Sequence, residues 1–434
     1  MPTRDELSGR AERRGSVRVV RADDDPTPRR GFRIAVITAS ALLASAAVLF
    51  GTRFLVDAGT ASAGAATPNG ALDARSVQPA KISTAGRLLL IGPRMVLDTR
   101  RETRPAAGAE LAVPLKGLPN GASAVLVEVS VVDAGGPGAV TLRSSTDEVT
   151  AVRAARAGAQ TSATVLAPLG TDGGLRVRTE GGGHLLVNLV GTIEPVATAT
   201  AGRIVPLAAT EVIRLVPKTG GKNAGFRPAD LPQLRTADVA AVMLHISADV
   251  GIRGGYVEVG GGGGKLDQKV YWSATSGTDR LRTGFLVVPV TGGAVNVHYE
   301  AGSRLTAALV GYVTGDSAPD QAAGLIMPAP AGAAEPVAVA AGKETDALVV
   351  GRDTMPADRV AAALVTITAT GKSAGAIQVY QPDDALPAEP TLTAGPGAAR
   401  STVTLVETVD GHVRVRGTAE VSVIAAPQAF ILAN

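Results

Sequence analysis

The side chains best suited to acid–base or metal chemistry are four histidines: His184, His245, His298 and His412. The nearest pair, His245 and His298, is 53 residues apart. A zinc site needs several ligands converging on one point, commonly with a close pair among them. Those two histidines fall in one segment and could meet, but two hydrogen-bonded sheet histidines suit the same pattern. There is no cysteine, which excludes thiolate metal sites, disulfides and Cys nucleophiles. A Ser-His-Asp site is defined by geometry and stays open at this level. Gly260–Gly264 followed by Lys265 resembles a phosphate loop, but Leu266 stands where Ser or Thr is required, so the run reads as a hairpin tip. The carboxylate pairs Asp147-Glu148 and Asp383-Asp384 sit in polar, turn-like surroundings. The sequence therefore names no catalytic, cofactor-binding or metal-ligating residue, and the expectation is a protein that is not an enzyme.

Aromatic side chains offer a different chemistry. They make up only 3% of the chain, yet the single Trp and four of the five Tyr lie between residues 256 and 312. Tyr256, Tyr271, Trp272 and Tyr299 are the candidate partner-binding residues, because Tyr and Trp dominate protein and glycan contact surfaces. The competing reading is that they fill a core otherwise poor in large side chains. Tyr271-Trp272 lies in the polar stretch DQKVYWSATSG, which predicts partial exposure.

These residues are carried on a chain of unusual organisation. The 434 residues hold 52 Gly and 27 Pro, a mixture suited to short strands and turns. The net charge of +3 is confined to residues 1–33, which carry nine Arg and six Asp or Glu; the remainder is balanced, and no basic patch points to nucleic acid. Residues 1–33 predict a disordered charged tail. Ile34–Thr52 then runs nineteen residues without charge or Pro. As a helix it would cover about 28 Å, close to the bilayer hydrocarbon. Residues 34–56 are thus expected to form one transmembrane helix. Arg29, Arg30 and Arg33 precede it, so the positive-inside rule places the N-terminus in the cytoplasm and the rest outside. A cleaved signal ending near Ala61-Ser62-Ala63 is the alternative, giving a secreted protein. Residues 57–84 read as a flexible spacer.

Beyond the spacer the sequence repeats. Ala122–Val131, Val239–Ala248 and Val360–Ala369 share one strand-like pattern, with Glu128, His245 and Thr366 in register at spacings of 117 and 121. In the first, Val125, Val127, Val129 and Val131 face one way and Ala124, Leu126, Glu128 and Ser130 the other, which predicts a strand with one buried face. Gly-led strands follow at matching offsets in each unit. The expected fold is all-β: three diverged repeats forming a row of separate β-sandwich-like domains at 85–200, 201–321 and 322–434, after the single N-terminal span.

The first unit also carries Arg94-Met95-Val96-Leu97-Asp98-Thr99-Arg100. This resembles the R-x-L-L-D-T-R box of a repeat common in secreted and surface proteins of actinobacteria. Gly117–Ala122, Ala167–Gly170 and His184–Gly191 are similar to that family as well. In the second unit Arg214, Val216 and Thr219 fall at a spacing of 120 from Arg94, Val96 and Thr99, with Lys218 in place of Asp98. The third unit lacks the box. The resemblance implies an extracellular module. From the residues themselves, Arg94, Asp98, Thr99 and Arg100 read as a structural box, in which Asp98 serves turn amides and pairs with Arg100. The expected function is a membrane-anchored, non-enzymatic envelope scaffold or binding module. The alternative is a glycan- or peptidoglycan-binding surface protein using the second unit.

Overall fold

The computed structural model describes residues 85–433 except 196–199, 217–221, 263–265, 275, 278, 301, 320–322, 331–333, 352–354 and 397–398. The expected tail, span and spacer lie outside the described residues. No described helix is long and apolar enough to cross a membrane.

The described chain is all-β, with antiparallel sheets and only four short 3-10 segments among its described residues. The first domain has β1 (Arg87–Asp98), β2 (Glu110–Ala112), β3 (Ala124–Val132), β4 (Gly138–Arg143), β5 (Glu148–Ala154), β6 (Thr161–Pro168), β7 (Arg176–Thr179) and β8 (His184–Glu194). Its sheets have the orders β1-β8-β3-β6 and β2-β7-β4-β5, the crossing pattern of an eight-stranded jelly roll. The second domain repeats it with β9 (Ile204–Leu215), β10 (Lys222–Phe226), β11 (Val239–Val250), β12 (Gly255–Gly261), β13 (Gln268–Trp272), β14 (Leu281–Pro289), β15 (Val295–Tyr299) and β16 (Gly302–Thr314). Its orders are β14-β11-β16-β9 and β10-β15-β12-β13. The third domain splits its first strand into β17 (Ile326–Pro328) and β18 (Pro336–Val339). It continues with β19 (Glu344–Leu348), β20 (Val360–Gly371), β21 (Gly375–Tyr380), β22 (Leu392–Ala394), β23 (Arg400–Glu407), β24 (His412–Gly417) and β25 (Val421–Leu432). Its sheets run β17-β25-β20-β23, with β18 also on β25, and β19-β24-β21-β22.

Glu128, His245 and Thr366 occupy equivalent places on β3, β11 and β20, opposite Thr164, Phe285 and Val403 of the neighbouring strand. The spacings of 117 and 121 are therefore the structural register. The expectation of one buried face for the first of these strands fails: β3, and likewise β11 and β20, bury nearly every residue on both faces. One face fills the interior of its own sandwich. The other carries Leu126, Met243 or Leu364 into a single apolar cluster shared by all three domains. Leu88, Ile204 and Ile326 join them from the first strands, and Leu166, Val287 and Leu405 from β6, β14 and β23. The residual void between these nine side chains, Phe285 and Ile431 is only about 10 Å³. The domains are therefore not a row of separate sandwiches; they close on one another around this cluster.

Backbone hydrogen bonds complete the closure. Leu88 N donates to Gly202 O at 2.8 Å, Ile204 N to Gly324 O at 2.8 Å, and Ile326 N to Gly86 O at 2.9 Å. Each domain thus donates to the next and the third returns to the first. Ala85-Gly86-Arg87-Leu88, Ala201-Gly202-Arg203-Ile204 and Ala323-Gly324-Leu325-Ile326 are the sequence form of this ring. A side chain at these glycines would strike backbone: a Cβ would stand 2.1 Å from Glu194 O at Gly86, 2.7 Å from Leu88 O at Gly202 and 2.6 Å from Ile204 O at Gly324.

Candidate functional site

In the second domain, strand alternation sends Val257, Val259, Val270, Val295 and Val297 into the core and leaves Tyr256, Glu258, Lys269, Tyr271 and His298 on the outer face of one sheet. Tyr256 lies opposite Tyr271, and Glu258 opposite both Lys269 and His298. Lys269 Nζ is 2.9 Å from Glu258 and stands 3.3 Å from the Tyr256 ring centroid, a cation–π contact. The Tyr256 hydroxyl donates to Glu300 at 2.7 Å, and His298 pairs Nδ1 with Asn223 at 2.7 Å and Nε2 with Glu300 at 3.3 Å. The bond to Glu300, reinforced by burial, pushes the Tyr256 hydroxyl up to about 12, while Tyr256 and His298 hold the Glu300 carboxyl below its usual range. The result is a polar surface in which each charge already has a partner.

Two of the four aromatic candidates do not belong to it. Trp272 is 1% exposed and Tyr299 is fully buried, so neither presents a contact face. Polar sequence around Trp272 suggested exposure, but its strand position points inward, and Gly284 opposite leaves room for the indole. Its Nε1 donates across the domain boundary to Ser162 O at 3.4 Å. Tyr299 donates its hydroxyl to Asp249 O at 2.6 Å. Tyr256 and Tyr271 are half-buried and remain as the contact candidates.

The Asp98-Thr99-Arg100 segment ends β1 and forms a 3-10 turn. Asp98 Oδ1 accepts from Arg100 N at 3.0 Å and, with Oδ2, grips the Arg100 guanidinium at 2.9 and 2.7 Å. Arg100 and the turn amide hold the Asp98 carboxyl below the usual carboxylate range. Thr99 is buried; its Oγ1 accepts from Leu185 N, and its carbonyl meets His184 Nδ1, both at 2.9 Å. Arg94 donates to Lys116 O. Arg100 then reaches the second domain, donating from Nη1 to the Tyr271 hydroxyl at 2.9 Å. The apparent traces of the box in the second domain are out of structural register. Arg214 pairs with Thr306 and, through it, Ser247, as Asp98 pairs with Leu186 and Ser130. Arg214 thus stands in the place of Asp98, not of Arg94.

His245 and His298 do not meet, since they lie on the outer faces of opposite sheets with the domain core between them. Among the described residues no three His, Asp or Glu side chains are grouped to hold a metal ion. Of the glycine run, Gly260 and Gly261 close β12, and 263–265 lie outside the described residues.

A second feature joins domains and escaped the sequence reading. Between the second and third domains lies a cavity of about 420 Å³, with His245, Glu211, Asp384, Glu389 and Glu407 on its walls. Its residues come from five separate stretches of sequence, so no local motif could mark it.

The fold is that of a protein built from three jelly-roll-like domains. No family model and no curated protein matches the chain. Among solved structures, one described as the triple jelly roll fold and turret assembly in an archaeal virus aligns over 81% of this chain and 91% of its own, at 10% identity and a TM-score of 0.18. A structure of Sulfolobus turreted icosahedral virus aligns over 76% and 85%, at 10% identity and a TM-score of 0.17. Likeness at that level carries no argument about this chain.

Proposed function

We propose that the protein is a single-pass, membrane-anchored component of the cell envelope whose three β-domains lie outside the cytoplasm and act as a non-enzymatic scaffold or binding module. The apolar run at 34–56 and the arginines before it support the anchor and its orientation. The observation that carries the scaffold reading is the shared core. Domains joined by a cluster of nine large apolar side chains and a ring of backbone hydrogen bonds hold their outer sheets in fixed relation, which suits presentation of a surface. The test is fractionation with protease added from outside intact cells. The proposal requires the full chain in the membrane fraction and residues beyond 84 accessible to protease. Recovery of a shortened chain in the medium would instead establish cleavage and secretion.

A second reading, glycan or peptidoglycan binding on the second domain, is favoured by the half-buried Tyr256 and Tyr271 side by side with Lys269 and Glu258. Co-sedimentation with purified peptidoglycan that is lost in Tyr256→Ala/Tyr271→Ala decides for it. Sedimentation unaffected by that pair decides against it.

A further inference from the structure

The cavity between the second and third domains combines an apolar floor with an acidic wall. Leu207 and Val310 of the second domain and Val379, Leu405 and Val406 of the third form the floor, and Leu386, 39% exposed, stands at the rim. Among the described residues four carboxylates line the wall, and no Lys or Arg does. Two of the four are matched from outside: Glu389 by Arg304 at 2.9 Å and Arg214 at 3.6 Å, and Glu211 by Arg214. Asp384 and Glu407 have no ion-pair partner among the described residues. Burial and the charge of Asp384 push the Glu407 carboxyl above its usual range, so the wall is short of positive charge.

His245 borders the same cavity. It lies on the cavity wall at 8% exposure, and its Nε2 meets Pro390 O at 3.3 Å. A carbonyl only accepts, so Nε2 carries the proton and Nδ1 is left as an acceptor. Burial holds the ring neutral, pushing its pKa down to about 4. Nδ1 is shielded from solvent and has no hydrogen-bond partner among the described residues. The equivalent position in the third domain is served internally: Thr366 Oγ1 accepts from Gln428 Nε2 at 2.8 Å, and Gln428 Oε1 accepts from Leu166 N at 3.0 Å.

We propose that this cavity binds a small organic cation, an ammonium group carried on a compact apolar body. The apolar part lies on the floor, and the ammonium faces Asp384 and Glu407. A volume of about 420 Å³ falls within the range of small-molecule pockets. The anion of the same shape is rejected by the two carboxylates, and the neutral isostere leaves them unmatched. This goes beyond the scaffold reading and stands or falls separately from it.

The experiment is calorimetric titration of the full chain in lipid nanodiscs, with empty nanodiscs subtracted. The probes are 2-phenylethylamine, 2-phenylethanol and 3-phenylpropanoate. Saturable binding of the amine, with the alcohol and the carboxylate at least about tenfold weaker, is the expected result. Asp384→Asn/Glu407→Gln loses that preference while keeping the melting curve of the parent. Ala208→Arg, which places a cation at the exposed mouth of the cavity, abolishes amine binding and covers the case in which the double variant does not fold. Equal affinity for amine and alcohol, no saturable amine binding at millimolar concentration, or amine binding that survives Ala208→Arg overturns the proposal.

Discussion

Arg100 of the first domain donates from Nη1 to the hydroxyl of Tyr271 in the second, at 2.9 Å, while its other guanidinium edge grips Asp98. A box that reads as local in sequence is thereby also a tie between domains. The Arg100 side chain is 41% exposed, so water screens the tie. Arg100→Ala is expected to lower stability by about 1 kcal/mol or less, and a double-mutant cycle with Tyr271→Phe to give a coupling of about 0.5 kcal/mol. Urea denaturation of the four proteins measures both.

Trp272 and its neighbour Tyr271 separate two roles. Trp272→Ala empties a packed position in the second domain's core and breaks the bond to Ser162, with an expected loss of about 3–5 kcal/mol. Tyr271→Ala, on the outer face, is expected to cost under about 1.5 kcal/mol. Thermal melts of the two variants rank them; the reverse order would contradict the assignment of faces along β13.

The ring glycines are predicted to be intolerant of any side chain. Gly202 and Gly324 have φ of 79° and 87°, and their Cβ would meet a backbone carbonyl. Alanine at either position combines left-handed strain with a clash that no rotamer relieves, an expected loss above about 3 kcal/mol. Gly173 also has positive φ, at 66°, but has open space around it. Its alanine variant is expected to lose only about 1 kcal/mol. The difference between the two classes of variant, read by denaturant midpoint, isolates the ring contact from backbone strain.

Glu128 and His245, equivalent in position, oppose each other in pH dependence. Burial raises the Glu128 carboxyl from 4.5 to about 8. As pH rises through that window the unfolded chain releases its proton first, so stability falls, by roughly 4–5 kcal/mol in full. Burial lowers His245 from 6.5 to about 4. As pH falls through that window the unfolded chain takes up its proton first, so stability falls again, by roughly 3 kcal/mol. Stability is therefore greatest between the two, near about pH 5–6. Glu128→Gln is expected to flatten the alkaline limb and His245→Gln the acid limb, as measured by denaturant unfolding across the pH range.

Much of the architecture was legible because it rests on local pattern. Period-2 alternation located the central strands, and matching Gly-led strands gave the register of Glu128, His245 and Thr366. Legibility ended at what covers the second face of each strand. In the sequence Leu126 shares a face with Ala124, Glu128 and Ser130, and with Met243 and Leu364 of the equivalent strands it belongs to the shared core. Trp272 looked exposed because its neighbours in sequence are polar, whereas its neighbours in space are Gly284 and the edge of another domain.

The sequence alone determined that residues beyond the first 84 are all-β and built from related units, since strand alternation and turn glycines act over a few residues. Tertiary structure alone decided that the units close into a ring, that Arg100 meets Tyr271, and that a cavity opens beside His245. Those features join residues far apart in the chain, as when Leu166 donates to Gln428 across 262 positions. Such a contact depends on how two complete domains pack, and no short stretch of sequence encodes it.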